Sequence, residues 1–224
     1  MVSIQIQEGE IPFPISGLDK PCNTWYKIIG NLKSDSYPLV ALHGGPGACH
    51  EYLLPLQDLY EQYGIPIILY DQIGNGKSTR LKEKMGDEDF WTEELFRAEL
   101  DNLIDHFGLR KRGFDLYGQS WGGMLASKYA ALHPAGLRRL VLSNAPASIE
   151  LMLQGMNKLR ATLPMEVREV LDRCEREGMA DSEEYEQACL MFYKRFLCRL
   201  DPWPEEVEIC MEHLKNDPTV YQTM

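Results

Sequence analysis

No stretch of the 224-residue sequence has the uninterrupted apolar length a bilayer span requires, and Met1 to Glu10 lacks both a positively charged start and an apolar run. Neither a secretory signal nor a membrane anchor is expected, and the cytoplasm is the simplest expected location. Basic residues are scarce, 23 against 34 acidic ones, for a formal net charge of -11. A surface of that sign repels nucleic acid and anionic lipid, so neither is expected as a partner. The six cysteines, Cys22, Cys49, Cys174, Cys189, Cys198 and Cys210, lack the paired short spacing of a zinc site and are expected as reduced thiols in or near the core. Cys49-His50 beside a glycine-rich turn has no second ligand pair near it, so no metal or other cofactor is expected. The sequence also has no internal repeat and no low-complexity tract. Its length suits one core with an insertion.

What is present is concentrated in Phe114 to Gly123, which reads Phe-Asp-Leu-Tyr-Gly-Gln-Ser-Trp-Gly-Gly. Residues suited to a buried strand lead into Gly118, a stretch suited only to a tight turn follows, and helix formers resume at Met124. Gly-x-Ser-x-Gly alone occurs in ordinary loops; a strand before it and a helix after it make it a nucleophile elbow. The serine of an elbow occupies a strained corner, so its neighbours two residues away on either side must be small. Gly118 and Gly122 meet that need, and Ser120 is the candidate nucleophile. The following helix would aim unpaired N–H groups and the positive end of its dipole at a developing oxyanion.

Alternating apolar and polar residues over 3–7 and from Thr24 to Ile28 predict two strands, and Pro12, Pro14, Gly17 and Pro21 between them predict an opening hairpin. Two short apolar runs follow, Leu39 to Leu42 and Ile65 to Tyr70. The first ends in His43-Gly-Gly-Pro-Gly47 and the second in Asp71-Gln-Ile-Gly-Asn-Gly-Lys-Ser78. Such runs, separated by helix-like stretches, predict a parallel sheet with crossovers. Asp89 to Gly108 predicts a helix with Phe96, Leu100, Leu103, Ile104 and Phe107 towards the sheet and Glu93, Glu94, Arg97, Asp101 and Asp105 towards solvent. Trp121 to Leu132 should form the helix behind the serine, and Leu137 to Leu142 the next strand. After Ser148 strand signals vanish and helices are predicted over 149–158, 165–177, 182–200 and 205–215. The expected division is an α/β core over 1–147 and a helical cap over 148–224, with the last strands of the sheet missing.

Three glycine-rich turns after three buried strands should gather at the carboxyl edge of one sheet, where open α/β sheets place ligands. The Gly44 and Gly45 peptides can turn an N–H towards an oxyanion, with Gly45 preferred, and Trp121 N–H supplies the second donor. His43 to Gly47 also reads as a plain tight turn or a phosphate cradle, but the Lys and Ser/Thr order of a P-loop is absent, and Gly74 to Ser78 lacks the four-residue gap. The three motifs, in this order and at this spacing, resemble the prolyl iminopeptidase family of α/β-hydrolases. The resemblance is close over 37–146, and the stretch after 148 resembles that family's cap in place and texture. Ile73 stands where the proline-specific bacterial branch commonly has arginine, so the chain looks nearer to the broader branch with the tricorn-interacting aminopeptidase and amino acid amidases. The resemblance implies release of an N-terminal residue from a short peptide, or hydrolysis of an amino acid amide or ester, through an acyl-enzyme on Ser120. It also implies acidic residues in or near the cap that read the substrate's free amine. Glu183, Glu184 and Glu186 fit that role and a solvated helix face equally well.

The rest of a triad has no obvious place. In this fold an Asp or Glu and then a His follow the serine, on loops after later strands. Only His133 and His213 follow Ser120. The first reads as a helix-terminus residue and the second as a surface residue of a cap helix. Asp172, Asp181, Asp201 and Asp217 have no strand before them. The expectation is the N-terminal part of a longer hydrolase, weak or inactive as it stands, because losing a triad member lowers turnover by on the order of 10⁴ to 10⁶. The alternatives are a non-catalytic binding protein that keeps the pocket, and a hydrolase acting in small-molecule biosynthesis.

Overall fold

The computed structural model describes residues 4–224. Along the chain lie β1 (Ile6–Pro12), β2 (Asn23–Ile29), β3 (Leu39–Leu42), α1 (Gln57–Tyr63), β4 (Ile67–Tyr70), α2 (Glu93–His106), α3 (Leu109–Arg112), β5 (Phe114–Gln119), α4 (Trp121–Ala131) and β6 (Leu137–Ser143). Helices follow: α5 (Ile149–Arg160), α6 (Met165–Glu177), α7 (Glu183–Phe196), α8 (Glu205–Asn216) and α9 (Thr219–Thr223).

The strands form one sheet in the order β1-β2-β4-β3-β5-β6. β3 pairs in parallel with β4 and β5, and β5 with β6, while β1–β2 and β2–β4 are antiparallel. This is the mostly parallel sheet that the apolar runs predict. β3 and β4 are buried at every residue because side chains alternate between two covered faces. Val40 and Leu42 join Phe96, Leu100, Leu116 and Leu125 on one face, and Leu39 and Ala41 join Ile29, Ile67 and Leu69 on the other. Each of the larger side chains among these contributes roughly 1.5–3 kcal/mol by leaving water.

The opening hairpin is present but displaced. Strand was expected over 3–7, of which Ser3 lies outside the described residues; β1 instead runs on to Pro12, paired with Asn23. An edge strand tolerates proline, since one row of its N–H groups has no ladder partner to lose. α2 is capped by Thr92, whose side chain accepts the Leu95 N–H, and Gly108 follows the helix in the left-handed region at φ 65.

The chain divides into two compact units. One comprises residues up to Ala145 together with Glu206–Met224, and the other is Pro146–Glu205. This differs from a boundary at 147, because nearly all of α8 and the whole of α9 go with the sheet. Arg80 accounts for much of that: it donates to Asp217 Oδ2 at 2.9 Å, to His213 Nδ1 at 2.9 Å and to the Gly76 carbonyl. Val220 joins the main core, and Thr223 Oγ1 accepts the Gly86 N–H at 2.9 Å. The second unit has its own small core of Leu163, Leu171 and Ala188. Within it α7 stops at Phe196, short of the expected residue 200. Glu183, Glu184 and Glu186 lie exposed in the first turn of α7.

Candidate active site

β5 ends at Gln119, α4 begins at Trp121, and Ser120 between them has φ 53 and ψ -120. A non-glycine residue there is strained and persists only where its surroundings over-determine it. Here they do. A Cβ on Gly118 would collide with the Gly122 carbonyl, and one on Gly122 would lie 2.5 Å from the His43 carbonyl oxygen. The elbow therefore closes only with glycine on both sides. Ser120 itself is partly exposed, and the Trp121 N–H is the first of the α4 amides that lack an intrahelical acceptor.

The loop after β3 sits against this corner. A Cβ on Gly44 would fall 3.1 Å from Ser120 Cβ and 2.5 Å from Gln119 Oε1. Gly45 has φ 117, which glycine adopts without penalty. Gly44, expected as a candidate oxyanion donor, gives its N–H to Tyr52 Oη at 2.6 Å instead, and the Tyr52 hydroxyl donates to Gln119 Oε1 at 2.7 Å. Gly45 and Trp121 are left as the candidate donors. Burial raises the Tyr52 pKa, which keeps its proton in place. Tyr52→Phe should lower stability by about 1–3 kcal/mol, because the Gly44 N–H is left without its acceptor. Urea denaturation measures this, and an unchanged midpoint would show that the bridge contributes nothing.

The three motifs are also braced to one another. His43 Nδ1–H donates to the Gly44 carbonyl at 2.9 Å, and Nε2 accepts the Gln72 N–H at 2.9 Å. The Gln72 side chain donates to the His43 carbonyl and accepts from Trp121 Nε1 at 3.1 Å. Both ring nitrogens of His43 are thus occupied, and burial lowers its pKa, so this imidazole is a neutral brace and no base. Asp71 is fully buried; burial works to raise its pKa, but hydrogen bonds from His50 and from the Lys77 N–H at 2.8 Å hold it below the usual value.

Glu99, on the buried face of α2, does the opposite. It accepts from Thr24 Oγ1 at 2.5 Å and from the Ile73 N–H at 2.9 and 3.0 Å, yet burial pushes its pKa up to about 8. Sequence reasoning missed Tyr52 and Glu99. Glu99 had a signal: it lies three residues after Phe96 and four before Leu103, within the apolar stripe.

Among the described residues no histidine is hydrogen-bonded to Ser120. His50 is paired with Asp71, and His106 packs on Tyr26 and Phe107. His133 follows α4 exposed at φ 52, and His213 Nδ1 accepts from Arg80. Asp217 is buried and bound by Arg80 and Thr219, while Asp172 pairs with Arg160. No helix among the described residues is long and apolar enough to cross a membrane.

The alpha/beta hydrolase fold family matches residues 37–219. A proline iminopeptidase of Lactobacillus helveticus is 35% identical over 98% of this chain and 70% of its own length. The chain belongs to the proline iminopeptidase family of α/β-hydrolases. Another member, the proline iminopeptidase of Thermoplasma volcanium, is 35% identical over 89% of this chain and 65% of its own. Among solved structures the chain is similar to VinJ, at 49% identity and a TM-score of 0.91, and to the proline iminopeptidase of Mycobacterium smegmatis, at 36% and 0.83. Each comparison covers 97% of this chain and 70% of the other.

Proposed function

We propose that Ser120 is the nucleophile of a serine hydrolase that releases an N-terminal residue from a short peptide or hydrolyses an amino acid amide or ester. The reading rests on one observation: the partly exposed serine at the φ 53 corner, with the Gly44–Gly45 loop and the first turn of α4 on either side of it. In this mechanism Oγ attacks the substrate carbonyl and the negative oxygen settles between the Trp121 and Gly45 N–H groups. An acyl-enzyme forms, and water releases it. The names of the relatives favour peptide substrates with a free N-terminal residue.

Because no histidine among the described residues engages Ser120, the 224-residue chain should acylate readily only with activated carbonyls. Turnover should fall short of a complete triad by on the order of 10⁴ or more. Incubation with a prolyl or alanyl p-nitrophenyl ester, followed by intact-mass analysis, should show one trapped acyl group on the wild type and none on Ser120→Ala. Equal acylation of both proteins would overturn the assignment.

The same lack of a base favours a second reading, a binding protein that retains the pocket. Under it a short peptide raises Tm equally in wild type and Ser120→Ala. A response confined to the wild type refutes it.

A further inference from the structure

Cys49 and Cys210 take no part in the chemistry above, yet they are packed together. Cys49 is fully buried, Cys210 is 7% exposed, and with Ala48 they form a small cluster apart from the main core. Cys49 stands in the loop that carries Gly45, and Cys210 stands on α8, both within the first unit. The Cys49 thiol and its backbone N–H are directed at the Cys210 sulfur, which raises the Cys49 pKa and lowers that of Cys210. Cys210 is therefore the readier thiolate of the two.

The surroundings suit thiol chemistry better than a metal. A Glu51 carboxylate oxygen and a ring nitrogen of His213 lie within 4.8 Å of each other and of Cys49 Sγ. Glu51, whose buried Oε2 lies 3.3 Å from His50 Nδ1, also faces the Cys49 thiol and can accept its proton. His213 Nδ1 already accepts from Arg80, so the ring's free nitrogen carries a proton and offers a donor in place of the lone pair a metal needs.

We infer that Cys49 and Cys210 are an oxidisable dithiol that a low-molecular-weight disulfide such as oxidised glutathione closes, stapling α8 to the loop that bears Gly45. The Cys210 thiolate attacks one sulfur of oxidised glutathione, the S–S bond breaks, and one glutathione thiolate leaves. Cys49 sulfur then attacks Cys210 sulfur and expels the second. Two electrons pass from the two cysteines to glutathione, and the two thiol protons end on its two released thiols. The staple would reinforce contacts already present, since a Cβ on Gly47 would meet Tyr221 Cβ at 3.0 Å and Leu214 Cδ2 at 3.3 Å. Closing so long a loop restricts the unfolded chain, so the oxidised form melts higher.

The test incubates the folded chain with oxidised glutathione, alkylates the remaining thiols and maps peptides without reduction. The expected products are a Cys49–Cys210 cross-linked peptide, a higher Tm that reverts in dithiothreitol, and, in Cys49→Ser, a glutathione trapped on Cys210. Six alkylated cysteines after denaturation, or glutathione held on wild-type Cys210 without closure, would overturn the inference. Because the cross-link is mapped on the wild type, the test still decides the matter if the variant fails to fold.

Discussion

Replacing Gly122 with alanine is expected to lower the unfolding free energy by about 3 kcal/mol or more, enough to leave much of the chain insoluble. The added methyl meets the Leu42 and His43 carbonyl oxygens, which are backbone atoms at the end of β3 and cannot rotate away. Relief requires α4 to lift off the sheet, and Leu125, Ala126 and Tyr129 would then lose their burial in the main core. Gly155 is the control. It sits inside α5 with nothing within 4 Å of an added Cβ, so Gly155→Ala should gain roughly 0.5–1 kcal/mol of helix preference. Urea unfolding of the two variants distinguishes a steric need for glycine from a general sensitivity; equal effects would contradict the elbow geometry.

The second large effect is a dependence of stability on pH that Glu99→Gln abolishes. Glu99 has a folded pKa of about 8 against an ordinary value of 4.5, chiefly because burial disfavours its charged form, with nearby Asp71 adding to the shift. The folded state thus holds a proton that the unfolded state has released. The resulting stability is present in full below pH 4.5 and is lost as pH rises through 8. At about 1.4 kcal/mol per pKa unit, the loss is on the order of 5 kcal/mol. Glu99→Gln should lack this loss and be more stable than wild type on the alkaline side of that window, while the neutral His43 makes both proteins less stable as pH falls below 6.5. Asp71, whose folded pKa is lowered, acts in a separate window: its contribution is present above the ordinary value of 3.8 and is lost as pH falls through the folded pKa. Denaturation midpoints from pH 5 to 9 test this. Parallel curves for wild type and Glu99→Gln would mean that Glu99 is charged in the fold.

The sheet and the elbow were legible because their causes are local. The apolar runs Leu39–Leu42 and Ile65–Tyr70 read as buried strands, the second of which begins two residues later at Ile67, and Gly118 and Gly122 flank a serine whose corner excludes any side chain. The bracing was not legible, because it depends on groups far apart in sequence. Tyr52 reaches both Gly44 and Gln119, and Arg80 reaches Asp217 and His213, which brings α8 and α9 to the sheet unit where a continuous helical cap was expected. The misplaced start of β1 has the same origin, since its register is set by β2 and not by its own alternation.

The proposed nucleophile is tested most directly by a fluorophosphonate probe, which phosphonylates a serine only where an oxyanion site is already assembled beside it. After labelling of the folded 224-residue chain, peptide mapping should find the phosphonyl group on Ser120 alone. Ser120→Ala should remain unlabelled while keeping the wild-type circular-dichroism spectrum. A folded wild type left unlabelled, or labelled at another residue, would contradict the claim that Gly45 and Trp121 flank a working nucleophile.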